Sequence, residues 1–178
     1  LLAAVTLNPP YGTAEVHIDI AASSIQAIQS YLDGEAAASG GDPAMQRVLE
    51  WWSAHIDQAE FHHAWPQWLG GAFKQTLIYI PRALHNFEGI TSGGQSFPGG
   101  FHQVFNNLFR AAFPTLSVND ADQWAAYAAT NAGALDTVAG LLVDAYKIVF
   151  APFGSAGQAA VQVFVTEARQ TYPATPGP

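Results

Sequence analysis

Near the start of the chain, apolar and polar positions alternate. Val16, Ile18 and Ile20 point one way and Glu15, His17 and Asp19 the other, which predicts a half-buried strand over residues 14–20. A short helix over 22–32 is expected to end near Gly34, followed by a loop through AAASGGDP at 36–43. The period then lengthens. Met45, Val48, Leu49, Trp52, Ile56 and Ala59 fall at helical spacing, with Asp42 as a cap and Pro43 in the first turn. In this helix Trp51 and Trp52 read as core and rim, and His55 as exposed beside the main stripe.

From residue 60 the pattern shortens again. Residues 61–64 are strand-like, Pro66 to Gly71 form a turn or loop, and QTLIYI at 75–80 is a strand. Pro81 opens a helix that carries His85, since its missing N–H costs nothing at that position. TSGGQSFPGG at 91–100 reads as a flexible loop. An amphipathic helix follows over 101–113, with His102 near its start and Pro114 ending it. Asn119 or Asp120 can cap the next helix, which runs to about Asn131. Two more helices, near 133–150 and 155–170, are separated by Pro152 and Gly154, and the tail at 173–178 is expected to be disordered.

The elements add up to one α+β domain, mostly helical, over residues 1–178. Within it we distinguish an N-terminal part (1–59), a central core (60–112) and C-terminal helices (113–172).

Composition narrows the chemistry. The chain of 178 residues has no cysteine, so disulfides, thiolate metal sites and a cysteine nucleophile are excluded. Any metal must be held by imidazole, carboxylate, carbonyl or water. The net charge of −8 by itself argues against nucleic-acid binding. The acid lies in the flanks, however. The central segment 60–112 sets Lys74, Arg82 and Arg110 against Glu60 and Glu88, and it holds His62, His63, His85 and His102. The Leu-Leu-Ala-Ala start has no basic segment followed by a long apolar run, so no signal peptide is expected; the missing Met suggests a fragment or a processed product.

The stretch EFHHAWPQWLGGAFKQ at 60–75 concentrates this chemistry. Adjacent strand residues face opposite sides, so His62 and His63 can share one site only if the strand twists or ends there. Trp65-Pro66 makes an early end plausible. Glu15, His17 and Asp19 could also form a ligand set, but a solvated strand face is the expected reading.

The pattern Glu-x-His-His-x-Trp-Pro, Leu-Gly-Gly, Lys-Gln, an apolar strand and then Leu-His resembles the HNH, or ββα-metal, nucleases. It is closest to the Glu-His-His-His toxin domains at the C-termini of bacterial Rhs and related polymorphic toxins. The likeness covers roughly residues 58–110. It implies a small ββα-metal core at about 60–90 and hydrolysis of nucleic-acid phosphodiester bonds, with DNA favoured over RNA. It also implies one divalent metal ion, for which imidazole ligands suit zinc or nickel and magnesium would want more carboxylate.

On that resemblance His62 and His85 are metal ligands and His63 the general base. Gln75 orients the base, and Glu60 orients a histidine or touches the metal. A further helical histidine found in many relatives is replaced here by Gly89, leaving Glu88, His102 or water to complete the coordination. Lys74, Arg82 and Arg110 are candidates for phosphate contacts. The resemblance also implies a secreted effector released from an Rhs-type shell, acting in the cytoplasm of a competitor cell and neutralised by an immunity protein.

Two alternatives belong to other classes. Residues 148–166 carry no charge and approach spanning length, which would suit a membrane-active toxin. Pro152, Gly154 and Gly157 interrupt the run, so a buried helix pair rather than a stable membrane span is expected. The other alternative is a non-catalytic helical binding module.

Overall fold

A computed structural model describes residues 3–7, 15–19, 30, 33–34, 36–55, 58–71, 77–87, 89–92, 95–97, 99–151 and 154–171. In chain order these form β1 (Ala3–Leu7), β2 (Glu15–Asp19), α1 (Pro43–His55), β3 (Ala59–His63), a 3-10 turn (Gln67–Leu69), β4 (Leu77–Pro81) and α2 (Arg82–Asn86). A second hairpin follows, β5 (Ile90–Ser92) and β6 (Gln95–Phe97). The chain then continues as α3 (Phe101–Ala112), α4 (Ala121–Thr130), α5 (Ala134–Phe150) and α6 (Gly154–Thr171). The class is α+β with helix predominating.

One sheet has four strands in the order β1-β2-β4-β3. β3 and β4 are antiparallel, with His62 opposite Ile78 and His63 opposite Leu77. β2 joins the other edge of β4 in parallel, Val16 opposite Ile78, and β1 lies antiparallel outside it. The hairpin strands are therefore part of a larger sheet than the local pattern implies.

The main core is an aromatic column. Phe101, Phe105, Phe109 and Phe113 recur every fourth residue, which places them on one face of α3 and at its C-cap. Trp124 of α4 packs against Phe109 and Phe113. Tyr146 of α5 stacks between Phe101 and Phe164 of α6, with both ring centroids at 4.5 Å. α5 contributes its buried stripe of Val138, Leu142, Ala145, Tyr146 and Val149. Asp120 caps α4 by accepting from the Gln123 N–H at 3.0 Å.

Several expectations need correction. Where a flexible loop was expected, Ile90–Ser92 and Gln95–Phe97 are paired antiparallel strands, Ile90 opposite Phe97 and Ser92 opposite Gln95. Ala36 to Ala38 are helical, so the loop at 36–43 shrinks to a turn at Ser39–Gly41. Ala59 starts β3 instead of extending α1, which ends at His55. His55 is half-buried, stacked on Trp51 at 4.3 Å with its Nδ1 2.7 Å from the Trp51 carbonyl. β1 was not anticipated. The 22–32 helix lies largely outside the described residues, as does the 173–178 tail.

Among the described residues no helix is long and apolar enough to cross a membrane. The charge-free run at 148–166 is divided between the end of α5 and α6, whose Phe150 and Phe164 meet at 5.2 Å. Close approach at this corner depends on Gly157, where a Cβ would stand 2.0 Å from the Phe150 carbonyl oxygen. Gly157→Ala is expected to lower unfolding stability by about 1–3 kcal/mol through forced separation of the helices. Gly140→Ala, in α5 with open space around it, is expected to raise stability by about 0.4–1 kcal/mol. Urea melts of both variants check the contrast.

Candidate metal centre

The end of β3 builds the site. His63 is its last residue; Ala64 and Trp65 then turn inward and are fully buried. The Trp65 indole N–H donates to the Leu69 carbonyl at 3.0 Å and closes the 3-10 turn, with Gly70 at φ 87° completing it. The bend lets neighbouring histidines border one cleft of about 320 Å³, although alternate strand residues ordinarily face apart. His62 lies at the cleft's buried end, only 2 % exposed, and His63 is half-buried.

α2 follows β4 without a loop and carries His85 into the same cleft, 8 % exposed. α3 brings His102 alongside because its first residue is preceded by a glycine packed on α2. The Gly100 N–H donates to the Phe87 carbonyl at 2.7 Å, and a Cβ at Gly100 would stand 2.9 Å from the His85 carbonyl oxygen. The His85 and His102 rings are 4.3 Å apart between centroids.

His62, His85 and His102 thus lie close together and can hold a metal ion; one ring nitrogen from each falls within 4.8 Å of the others. His62 Nδ1 and His85 Nε2 are 3.2 Å apart. With metal–nitrogen bonds of ~2.0–2.1 Å, two tetrahedral ligands stand about 3.3 Å apart, so this pair already has ligand spacing. The 4.8 Å spread of the full set is wider, and His102, which keeps solvent contact, is the ligand that must close in.

Outer contacts hold the rings. His85 Nδ1 donates to Glu60 Oε2 at 2.9 Å, and the Asn86 amide donates to the same oxygen. Of the two roles open to Glu60, the structure supports orienting a histidine. This carboxylate–histidine arrangement is common behind metal-bound imidazoles. The other Glu60 oxygen receives Arg82 Nε at 3.4 Å in a solvent-exposed pair. At the far end, His62 Nε2 is 2.8 Å from the hydroxyl of buried Tyr146.

Burial pushes the His62 pKa well below the usual 6.5, with further lowering from His85, His102 and His63. His63 is lowered by burial and then by His85. Burial also lowers His85, partly countered by its hydrogen bond and charge attraction to Glu60. His102 is lowered to about 4, first by desolvation among the surrounding groups and then by His85. At neutral pH the cluster therefore presents uncharged imidazoles, the protonation state that ligates metal. Burial raises the Tyr146 pKa well above 10, so its hydroxyl remains protonated.

The remaining expected site residues are placed unevenly. Gln75, Lys74 and Glu88 lie outside the described residues. Arg82 and Arg110 are both exposed, and neither lines the cleft. Arg82 is drawn to Glu60, and Arg110 lies 3.4 Å from Asn107 Oδ1. The described polar lining beyond the histidines is uncharged, from Gln67, Asn106 and Asn119, with Trp68 beside them. Tyr146 was missed by the sequence reading. Its signal was a tyrosine inside an otherwise apolar helix stripe, whose buried hydroxyl needs a partner.

Comparison of the chain with protein-family models, with characterised proteins and with solved structures returns no match.

The lowered histidine pKa values set an acid limit on stability. Each group binds protons more weakly folded than unfolded, so the unfolded state takes up more protons on acidification. This contribution is fully present above pH 6.5 and is lost as pH falls towards the folded values, about 4 for His102. The urea midpoint of the metal-free chain is expected to fall between pH 6.5 and 4. His102→Gln is expected to flatten the fall, as measured by urea melts across that range.

Proposed function

We propose that this chain is a metal-dependent endonuclease domain of the ββα-metal kind, hydrolysing phosphodiester bonds in nucleic acid, DNA ahead of RNA. One observation carries the reading. His62 at the end of one hairpin strand and His85 on the helix directly after the other converge with His102, while His63 borders the same cleft. The connection from antiparallel pair to helix follows the order that the Glu-His-His signature implies.

A divalent ion held by these imidazoles would supply positive charge to a phosphate oxygen and to the leaving oxygen. The three-imidazole set favours zinc or nickel over magnesium. His63 stands apart from the ligand set and is neutral near pH 7, suited to accept the proton of an attacking water. Its Nε2 lies 3.3 Å from the exposed Gln67 amide, which can orient the ring and give way to substrate. Glu60 acts through His85. Gln67, Asn106 and Asn119 can donate to phosphate oxygens, a role that needs no cation. In this reading the domain serves interbacterial competition, carried by an Rhs-type parent and countered by an immunity protein.

The test is cleavage of plasmid DNA and of total RNA by the purified chain with magnesium, manganese, zinc or nickel, beside an EDTA control. His63→Ala is expected to lose about 10²–10⁴-fold in rate while still binding metal; His85→Ala is expected to lose both. Failure of a folded, metal-loaded chain to cut either polymer would refute the nuclease reading.

A further inference from the structure

The Tyr146 hydroxyl has one proton and, among the described residues, two hydrogen-bonding neighbours, His62 Nε2 at 2.8 Å and the Ala64 carbonyl oxygen at 3.3 Å. A carbonyl can only accept, so satisfying both contacts requires Tyr146 to donate to Ala64 and accept from a protonated His62 Nε2. The His62 lone pair then lies on Nδ1. At the other end, the Glu60 carboxylate fixes the His85 proton on Nδ1 and its lone pair on Nε2. The two lone pairs face each other across 3.2 Å with no proton between them. Such an arrangement repels unless a cation lies between the nitrogens. In the alternative arrangement Tyr146 donates to His62 Nε2, and His62 Nδ1–H donates to His85. The Ala64 carbonyl then loses this donor, and the lone pair on His62 Nδ1 is no longer available to a metal.

We infer that Tyr146 is a positioning residue for the metal, its hydroxyl holding His62 in the tautomer that ligates through Nδ1 while Glu60 holds His85 for ligation through Nε2. The geometry also excludes ligation by His62 through Nε2, because the hydroxyl occupies that side. One part of the ligand grip therefore comes from α5, 84 residues further along the chain. The inference rests on the three-histidine metal site and is independent of the reaction proposed for it.

The experiment is titration of the full chain with zinc, followed by calorimetry and by long-range proton–nitrogen NMR of the histidine rings. Wild type is expected to bind with the His62 proton on Nε2 and zinc on Nδ1. Tyr146→Phe keeps the ring stacked between Phe101 and Phe164 and is expected to bind zinc about 10–100-fold more weakly, the usual range for losing an outer-sphere partner. Phe164→Leu disturbs the same packing but keeps the hydroxyl, and its zinc affinity is expected to stay near that of wild type. Equal zinc affinity in wild type and Tyr146→Phe would overturn the inference and leave the metal site standing. So would a zinc-loaded wild type with its His62 proton on Nδ1, a result that needs no variant to fold. A folded wild type that binds no zinc, cobalt or nickel would overturn the metal site as well.

Discussion

The contact on which the site depends is the 3.2 Å approach of His62 Nδ1 to His85 Nε2. It joins β3 to α2 inside the fold, where neither ring can take a charge without losing the stabilisation of burial. Each ring is held from behind, His85 by Glu60 and His62 by Tyr146. The chain Glu60–His85–His62–Tyr146 ties β3, α2 and α5 together through polar groups. The aromatic column of α3, α5 and α6 surrounds its inner end: the His62 ring meets Phe101 at 4.5 Å and Phe164 at 5.9 Å. The packing that stabilises the helices also keeps water from the buried ligand.

The local parts of this arrangement were legible in the sequence, because they arise within short segments. Trp65-Pro66 marked the end of β3, the condition under which adjacent histidines can share a cleft. The amphipathic pattern over 101–113, with Pro114 after it, marked out α3. Parts that depend on distant segments were not legible. Nothing local places β2 in parallel beside β4, since that pairing joins strands with α1 and β3 between them along the chain. Tyr146 lay in a stripe that reads as ordinary core. Gly99-Gly100 read as loop flexibility, whereas Gly100 is a contact point that sets His102 beside His85. Charge alone did not show where Arg82 and Arg110 would lie; both are exposed and neither lines the cleft.

This distribution of charge shapes the functional reading. The described cleft offers imidazole, amide and aromatic groups, while the chain as a whole is strongly acidic. A site of this kind would bind a phosphodiester chiefly through its metal and through oriented amide donors, with little long-range attraction. Its affinity would therefore depend less on salt than that of a site lined with Lys and Arg. The same chemistry explains why the ion is central to the account. Without it, the described lining has little with which to balance the charge of a phosphate.

The most direct test of the three-histidine centre is anomalous diffraction from crystals of the chain soaked in zinc, recorded on both sides of the zinc absorption edge. The account predicts a single strong peak bonded to His62 Nδ1 and His85 Nε2, with the His102 ring drawn in as the third ligand. A peak held by other residues, or no peak between these nitrogens at saturating zinc, would contradict it.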